Sequence, residues 1–159
     1  MGGIPKEQVS SHASTLSNPC DPLSLLDGSP IYCLFHRADL DQWQFIAGGG
    51  EDLELPIEAA RREALEESGI ESERWIALES LCHIPITVIS ERARRHWSPD
   101  LYVIPEYSFA FLCTGEIRLS DEHTECAWLS YEDAMQRLKW DSNRTALYEL
   151  NCRIAHQTL

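Results

Sequence analysis

The segment from Gly48 to Ile70, GGGEDLELPIEAARREALEESGI, constrains what this chain can fold into more than any other stretch. Three glycines, which allow positive φ and close backbone approach, lead into a run of good helix formers, among them Ala59, Ala60, Arg62, Ala64 and Leu65. Pro56 suits the first helical turn, where a missing N–H costs nothing. Gly69 suits the left-handed position that ends many helices. A helix bounded by these two residues follows. At about 100° per residue, Glu63, Glu66 and Glu67 share roughly one third of its circumference. Ile57, Ala60 and Ala64 form an adjacent stripe, small enough to pack closely on a sheet. Like charges one turn apart destabilise an isolated helix. Arg62 lies one turn after Glu58 and one turn before Glu66 and can brace both. It cannot alone neutralise the three carboxylates together with Asp52 and Glu54. Either the face is simply solvated, the common fate of a Glu-rich helix, or it holds a cation. Hard oxygen donors suit Mg2+, with Mn2+ as a substitute.

The spacing of Gly48, Glu54, Arg62, Glu63, Glu66, Glu67, Gly69 and Ile70 resembles the Nudix box, with Ala64 standing where a larger aliphatic is usual. The resemblance implies an α+β fold, a Nudix-type α/β/α sandwich with a mixed β-sheet, over residues 31–159. It also implies hydrolysis of a nucleoside diphosphate linked to another group, by metal-activated water. Glu63, Glu66 and Glu67 would hold the metal, with a backbone carbonyl near Gly48 or Gly49. A Glu-His-x-Glu-x-x-Trp-Leu run adds Glu122, ahead of Glu125, as a further metal or water ligand. Glu63, Glu66 and Glu122 stay open as alternatives for the general base. Arg62 is expected to orient carboxylates rather than touch substrate, because guanidinium pairs with them bidentately. Glu54 extends that network, and with Gly69 it is structural.

The remaining sequence bounds the context. With 159 residues, 43% of them hydrophobic, the chain is long and apolar enough for one globular domain. A formal net charge of -13 argues against nucleic acid or an anionic membrane as partner. It leaves room for a metal-bridged phosphate, since the ions reverse the local field. No membrane span or signal peptide is evident, and six scattered cysteines show no zinc or disulfide spacing. A cytoplasmic, reducing setting is expected. Cys33, Cys82 and Cys113 read as small core hydrophobes. Residues 1–30 read as irregular chain, with a short strand at 23–26 the only candidate. A homodimer is compatible with everything above.

Strands are expected at 31–37, 43–47, 75–78, 81–89 and 107–113, with Pro85 marking an edge or a bulge. Ser130 caps a helix over 131–138, and Asp141 or Ser142 caps a last one. Arg37, at a strand end, is a candidate for the substrate phosphates or a plain solvated residue. The basic run Arg92, Arg94, Arg95 either grips a triphosphate or a base, with Arg95 its candidate contact, or is a solvated loop. His123 is a base or a structural histidine. The stretch Trp140-Asp141-Ser142-Asn143-Arg144 resembles bacterial dihydroneopterin triphosphate pyrophosphohydrolases, with Asp141 as an insertion. That resemblance implies cleavage of a pterin or nucleoside triphosphate to monophosphate and pyrophosphate, with Trp43, Tyr107 and Trp140 as candidates to stack on the ring. Dinucleoside polyphosphates and ADP-sugars are the alternative substrates. A catalytically silent nucleotide-binding domain is the non-enzymatic alternative.

Overall fold

Tyr32, Cys33, Leu34 and Phe35 are all buried. A strand apolar on both faces must carry a layer on each side, and this sheet does. The computed structural model describes residues 12–18, 30–51, 53–113 and 115–159. In chain order the elements are β1 His12–Asn18, β2 Tyr32–Arg37, β3 Trp43–Gln44, β4 Ile46–Gly49, α1 Pro56–Ser68, β5 Trp75–Pro85, α2 Glu91–Arg94, β6 Val103–Leu112, β7 His123–Leu129, α3 Tyr131–Arg137 and α4 Asp141–Ala155. No described helix is long and apolar enough to cross a membrane.

The strands make one mixed sheet. β1 runs parallel to β6 and antiparallel to β2 and β4. β2 is antiparallel to β3 and β7, and β5 is antiparallel to β6. Tyr32 and Leu34 join Phe45, Leu138, Leu147 and Leu150 in the core under α3 and α4. Cys33 and Phe35 join Ile46, Ala64 and Phe111 in the core under α1. An α/β/α sandwich with a mixed sheet is therefore the fold, as expected. The alternation of side chains along β2, one face then the other, builds both of its cores.

Several boundaries differ from the sequence pattern for physical reasons. Residues 12–18, whose serines and asparagine mark them as irregular, form β1, because partners on both sides supply its backbone hydrogen bonds. The strand candidate at 23–26, with Cys20 and Asp52, lies outside the described residues. The separate strands expected at 75–78 and 81–89 join in one strand, β5, with a register shift between Ala77 and Leu81, and it stops at Pro85, Ile86–Val88 forming a 3-10 turn instead. The Glu149 carboxylate holds that irregularity, accepting the backbone N–H groups of Glu79 and Ser80 at 2.8 Å each. Pro85 ends β5 on an edge of the sheet, where a missing N–H is tolerated. Ser130 caps α3 as expected, its Oγ accepting from the Asp133 N–H at 3.2 Å. The cap of α4 is Trp140 rather than Asp141 or Ser142, and Asp141 instead pairs with Arg144 inside the first turn at 2.6 Å. Cys82 is half-buried rather than core.

Candidate active site

The two ends of α1 behave as their residues dictate. Pro56 opens it, the Leu55 N–H donates to Glu58 Oε2 at 2.8 Å, and Gly69 closes it at φ +69° with its N–H on the Leu65 carbonyl. Glu58 is thus engaged at the cap, and not by Arg62 as the helical spacing allows. Ala59, Ala60 and Ala64 are fully buried, so the helix lies close on the sheet. That close approach grades its three glutamates: the side chain of Glu66 is 58% exposed, that of Glu63 13% and that of Glu67 only 4%.

Arg62 ties this set together. Its Nε and Nη2 donate to the two Glu54 oxygens at 3.1 and 3.0 Å. Its Nη1 donates to Glu63 at 2.8 Å and to Glu66 at 3.3 Å, and Nη2 also reaches the Gly49 carbonyl at 2.7 Å. The hydrogen bonds hold the Glu54 carboxyl below its usual pKa and push Arg62 up. Gly48 and Gly49 lie in β4 rather than in a turn, and Gly69 is the one described glycine with positive φ. Gly48 is needed for space: a methyl group there would overlap the Glu63 carboxyl.

Glu67 is a carboxyl without a cation. Burial first, then the Glu122 and Glu63 charges, raise its pKa to about 9. Its Oε2 has no hydrogen-bond partner among the described residues. His123 Nε2 stands 3.6 Å away and is itself buried, and that burial, aided by the Arg37 charge, drops its pKa to about 4. Both shifts favour the uncharged forms while no cation is bound. Burial likewise raises Glu63, against the hydrogen bond from Arg62. Glu122 lies exposed in the turn before β7, held by an Ala38 N–H on its carbonyl at 2.9 Å, and its charge bears on Glu63, Glu67 and Arg37. Among the described residues no three Asp, Glu, His or Cys groups converge on one point as a finished metal cage. In kind, the donors still fit a hard divalent cation. They are oxygen ligands, mutually repelling, one with an orphaned buried oxygen, and a cation between them would relieve each of these penalties.

A cleft of about 1280 Å³ opens beside the helix. Glu63, Gly49 and Arg37 line one part of it, and Glu106, Arg94 and Trp140 another. Arg37 is bound by Asp39 at 2.8 and 2.7 Å. Trp43 lies outside the lining, with the Arg137 guanidinium 5.2 Å from its ring. Tyr107 packs with Ala59, Ala60 and Phe109 on the α1 side. Arg95 donates to His96 at 2.9 Å and lines, with Arg92, a smaller hollow that shares Glu91 and Arg94 with the cleft. In each case the immediate neighbour lines the cleft instead: Gln44, Glu106 and Arg94. For Trp43/Gln44 and Glu106/Tyr107 the reason is strand alternation, since adjacent strand residues face opposite sides; Arg94 and Arg95 instead follow one another at the end of α2. The available signal was a lone acid, Glu106, within an apolar strand. Gln44 Oε1 accepts from the Trp140 indole N–H at 3.3 Å, and Asn143 Oδ1 accepts from the Phe45 N–H at 3.2 Å, so α4 is anchored at the cleft wall.

Comparison with known proteins agrees with this geometry. The family model for the NUDIX domain matches residues 25–150. A solved chain from Listeria monocytogenes strain 4b F2365, assigned to the NUDIX hydrolases, is 38% identical at a TM-score of 0.78, with 92% of this chain and 95% of that chain covered. The dihydroneopterin triphosphate pyrophosphohydrolase of E. coli is similar in fold at 23% identity and a TM-score of 0.68, covering 89% and 95% of the two chains. An Ap4A hydrolase of C. elegans is similar in fold at 18% identity and a TM-score of 0.66, covering 93% and 99%. Box, sheet and matched span agree: the chain belongs to the Nudix domain family.

Proposed function

We propose that this chain is a Mg2+-dependent Nudix pyrophosphohydrolase that cleaves a (deoxy)nucleoside or dihydroneopterin triphosphate to monophosphate and pyrophosphate. The carrying observation is the Arg62-organised carboxylate set, whose Glu63 lines a cleft large enough for such a substrate. Glu63, Glu66, Glu67 and Glu122, with a backbone carbonyl at Gly48, are the groups to hold divalent cations. When bound, such ions neutralise phosphate charge and polarise the anhydride. The chain does the positioning. Arg62 fixes the Glu63 and Glu66 carboxylates, while Arg37, held by Asp39, offers its remaining N–H donors to phosphate oxygens. Glu122 is exposed and outside the Arg62 network, which favours it over Glu63 and Glu66 as the acceptor of the attacking water's proton. Trp140 offers a half-exposed ring at the cleft wall.

Incubation with Mg2+ and a nucleotide panel, with products separated by ion exchange, tests this. Pyrophosphate release from a (deoxy)nucleoside triphosphate or dihydroneopterin triphosphate is expected, and orthophosphate release would overturn it. The cleft volume exceeds the usual upper range of about 1,000 Å³ for a small-molecule site, which favours a second reading, a dinucleoside polyphosphate. Diadenosine tetraphosphate in the same panel separates the two.

A further inference from the structure

We propose that Glu106 determines which head group the cleft accepts. It would select a heterocycle with two adjacent N–H donors, the 2-amino-4-oxo-pyrimidine edge shared by guanine and pterins, over adenine. The inference rests on the triphosphate hydrolase reading and goes further by naming the ring.

The register places Glu106 opposite Cys82, with Ile104 opposite Ile84. All four line the cleft, and Glu106 is the one acid among them; on its other side the register sets it opposite His12 of β1. It is only 6% exposed, and its Oε1 has no hydrogen-bond partner among the described residues. The Cys82 thiol does not supply one, since it donates to the His83 carbonyl at 3.6 Å. A buried acceptor left unpaired is costly to folding and is satisfied most directly by a donor that arrives with a ligand.

The chemistry of the acceptor then chooses the ligand. A carboxylate oxygen accepts hydrogen bonds. Guanine and pterin set a ring N–H beside an exocyclic amine, two parallel donors for such an acceptor. Adenine sets a ring lone pair beside its amine, and that lone pair would face an acceptor oxygen. Sites that pair a ligand N–H in this way discriminate strongly, because the wrong ligand leaves the buried group unmet. Glu63 lines the same cleft, so a ring seated on Glu106 shares its cavity with the carboxylate set proposed to take the phosphates.

The test uses unphosphorylated ligands and metal-free full-length protein, followed by isothermal calorimetry and by quenching of the cleft tryptophans. Guanosine and neopterin are expected to bind at least roughly tenfold more tightly than adenosine. In Glu106→Gln that preference should fall by roughly tenfold, while the melting midpoint stays level or rises, because the buried oxygen that goes is one without a partner. N1-methylguanosine, which lacks the ring N–H, should bind wild type at least roughly tenfold less tightly than guanosine, a ligand-side check independent of whether the variant folds. Equal binding of guanosine and adenosine, or an unchanged preference in Glu106→Gln, would overturn the proposal. Ring selectivity without Mg2+-dependent hydrolysis would sink the activity and leave Glu106 standing. Hydrolysis without ring selectivity would do the reverse.

Discussion

Arg62 makes five hydrogen bonds, to three glutamates and one backbone carbonyl, from a single guanidinium. No ammonium can copy that fork, so lysine preserves the charge and loses the geometry. Arg62→Lys and Arg62→Ala should therefore both lower kcat by about a hundredfold, the scale set by misplacing reacting groups by an ångström. Urea denaturation should show a smaller effect, about 1–3 kcal/mol. A lysine variant with wild-type turnover would show that the network is not what positions the glutamates. Glu67 gives a pH signature to the metal-free protein. Its folded pKa of about 9 lies above the ordinary 4.5, so its contribution to stability is complete below pH 4.5 and is lost as pH rises through 9. The melting midpoint without metal should fall across that window, and the fall should be shallower in Glu67→Gln. The same variant should lose turnover far more than stability. A slope identical to wild type would mean that Glu67 is not protonated in the free protein.

At the scale of elements, α1 and the end of β4 form one device. Gly48 gives the Glu63 carboxyl the room that any side chain would occupy, whereas a methyl group on Gly49 meets open space. The displaced atoms are the far end of a flexible side chain, so Gly48→Ala should keep a near-wild-type melting midpoint and still lose most of its turnover. The loss in Gly49→Ala should be much smaller. Parallel thermal melts and kinetics on the two variants decide it, and equal losses would remove the steric explanation. This device is also the part of the fold most legible in the sequence. Pro56 and Gly69 act on their own backbone, and the glutamate spacing is fixed by the helix, so local residues suffice. β1 is illegible for the opposite reason. Its hydrogen bonds belong to β4 and β6, which lie far along the chain, and nothing in HASTLSN announces them. The cleft floor falls between these cases. A strand is plain at 107–113, but which face meets the cleft depends on parity, and a one-residue choice exchanges Glu106 for Tyr107.

On the scale of the whole molecule, the formal charge of -13 opposes the approach of a triphosphate that is itself an anion. Arg37 and Arg94 in the cleft are outnumbered by its lining acids, so the local attraction rests on the cations that the glutamates would bind, with the two arginines beside them. The two influences differ in range. Contacts inside the cleft act over a few ångströms and are weakly screened, while the repulsion of the whole surface acts beyond the Debye length of about 8 Å at physiological ionic strength. Added salt should therefore weaken the opposing field more than the attracting one. At saturating Mg2+, raising monovalent salt from about 0.02 to 0.15 M should increase kcat/KM by on the order of twofold, with kcat nearly constant because encounter rather than chemistry is affected. A basic phosphate-binding enzyme would show the opposite trend. Initial rates at low substrate over a potassium chloride series measure it directly. A steady decline with salt would mean that the cleft arginines and bound ions, not the net charge, govern how substrate arrives.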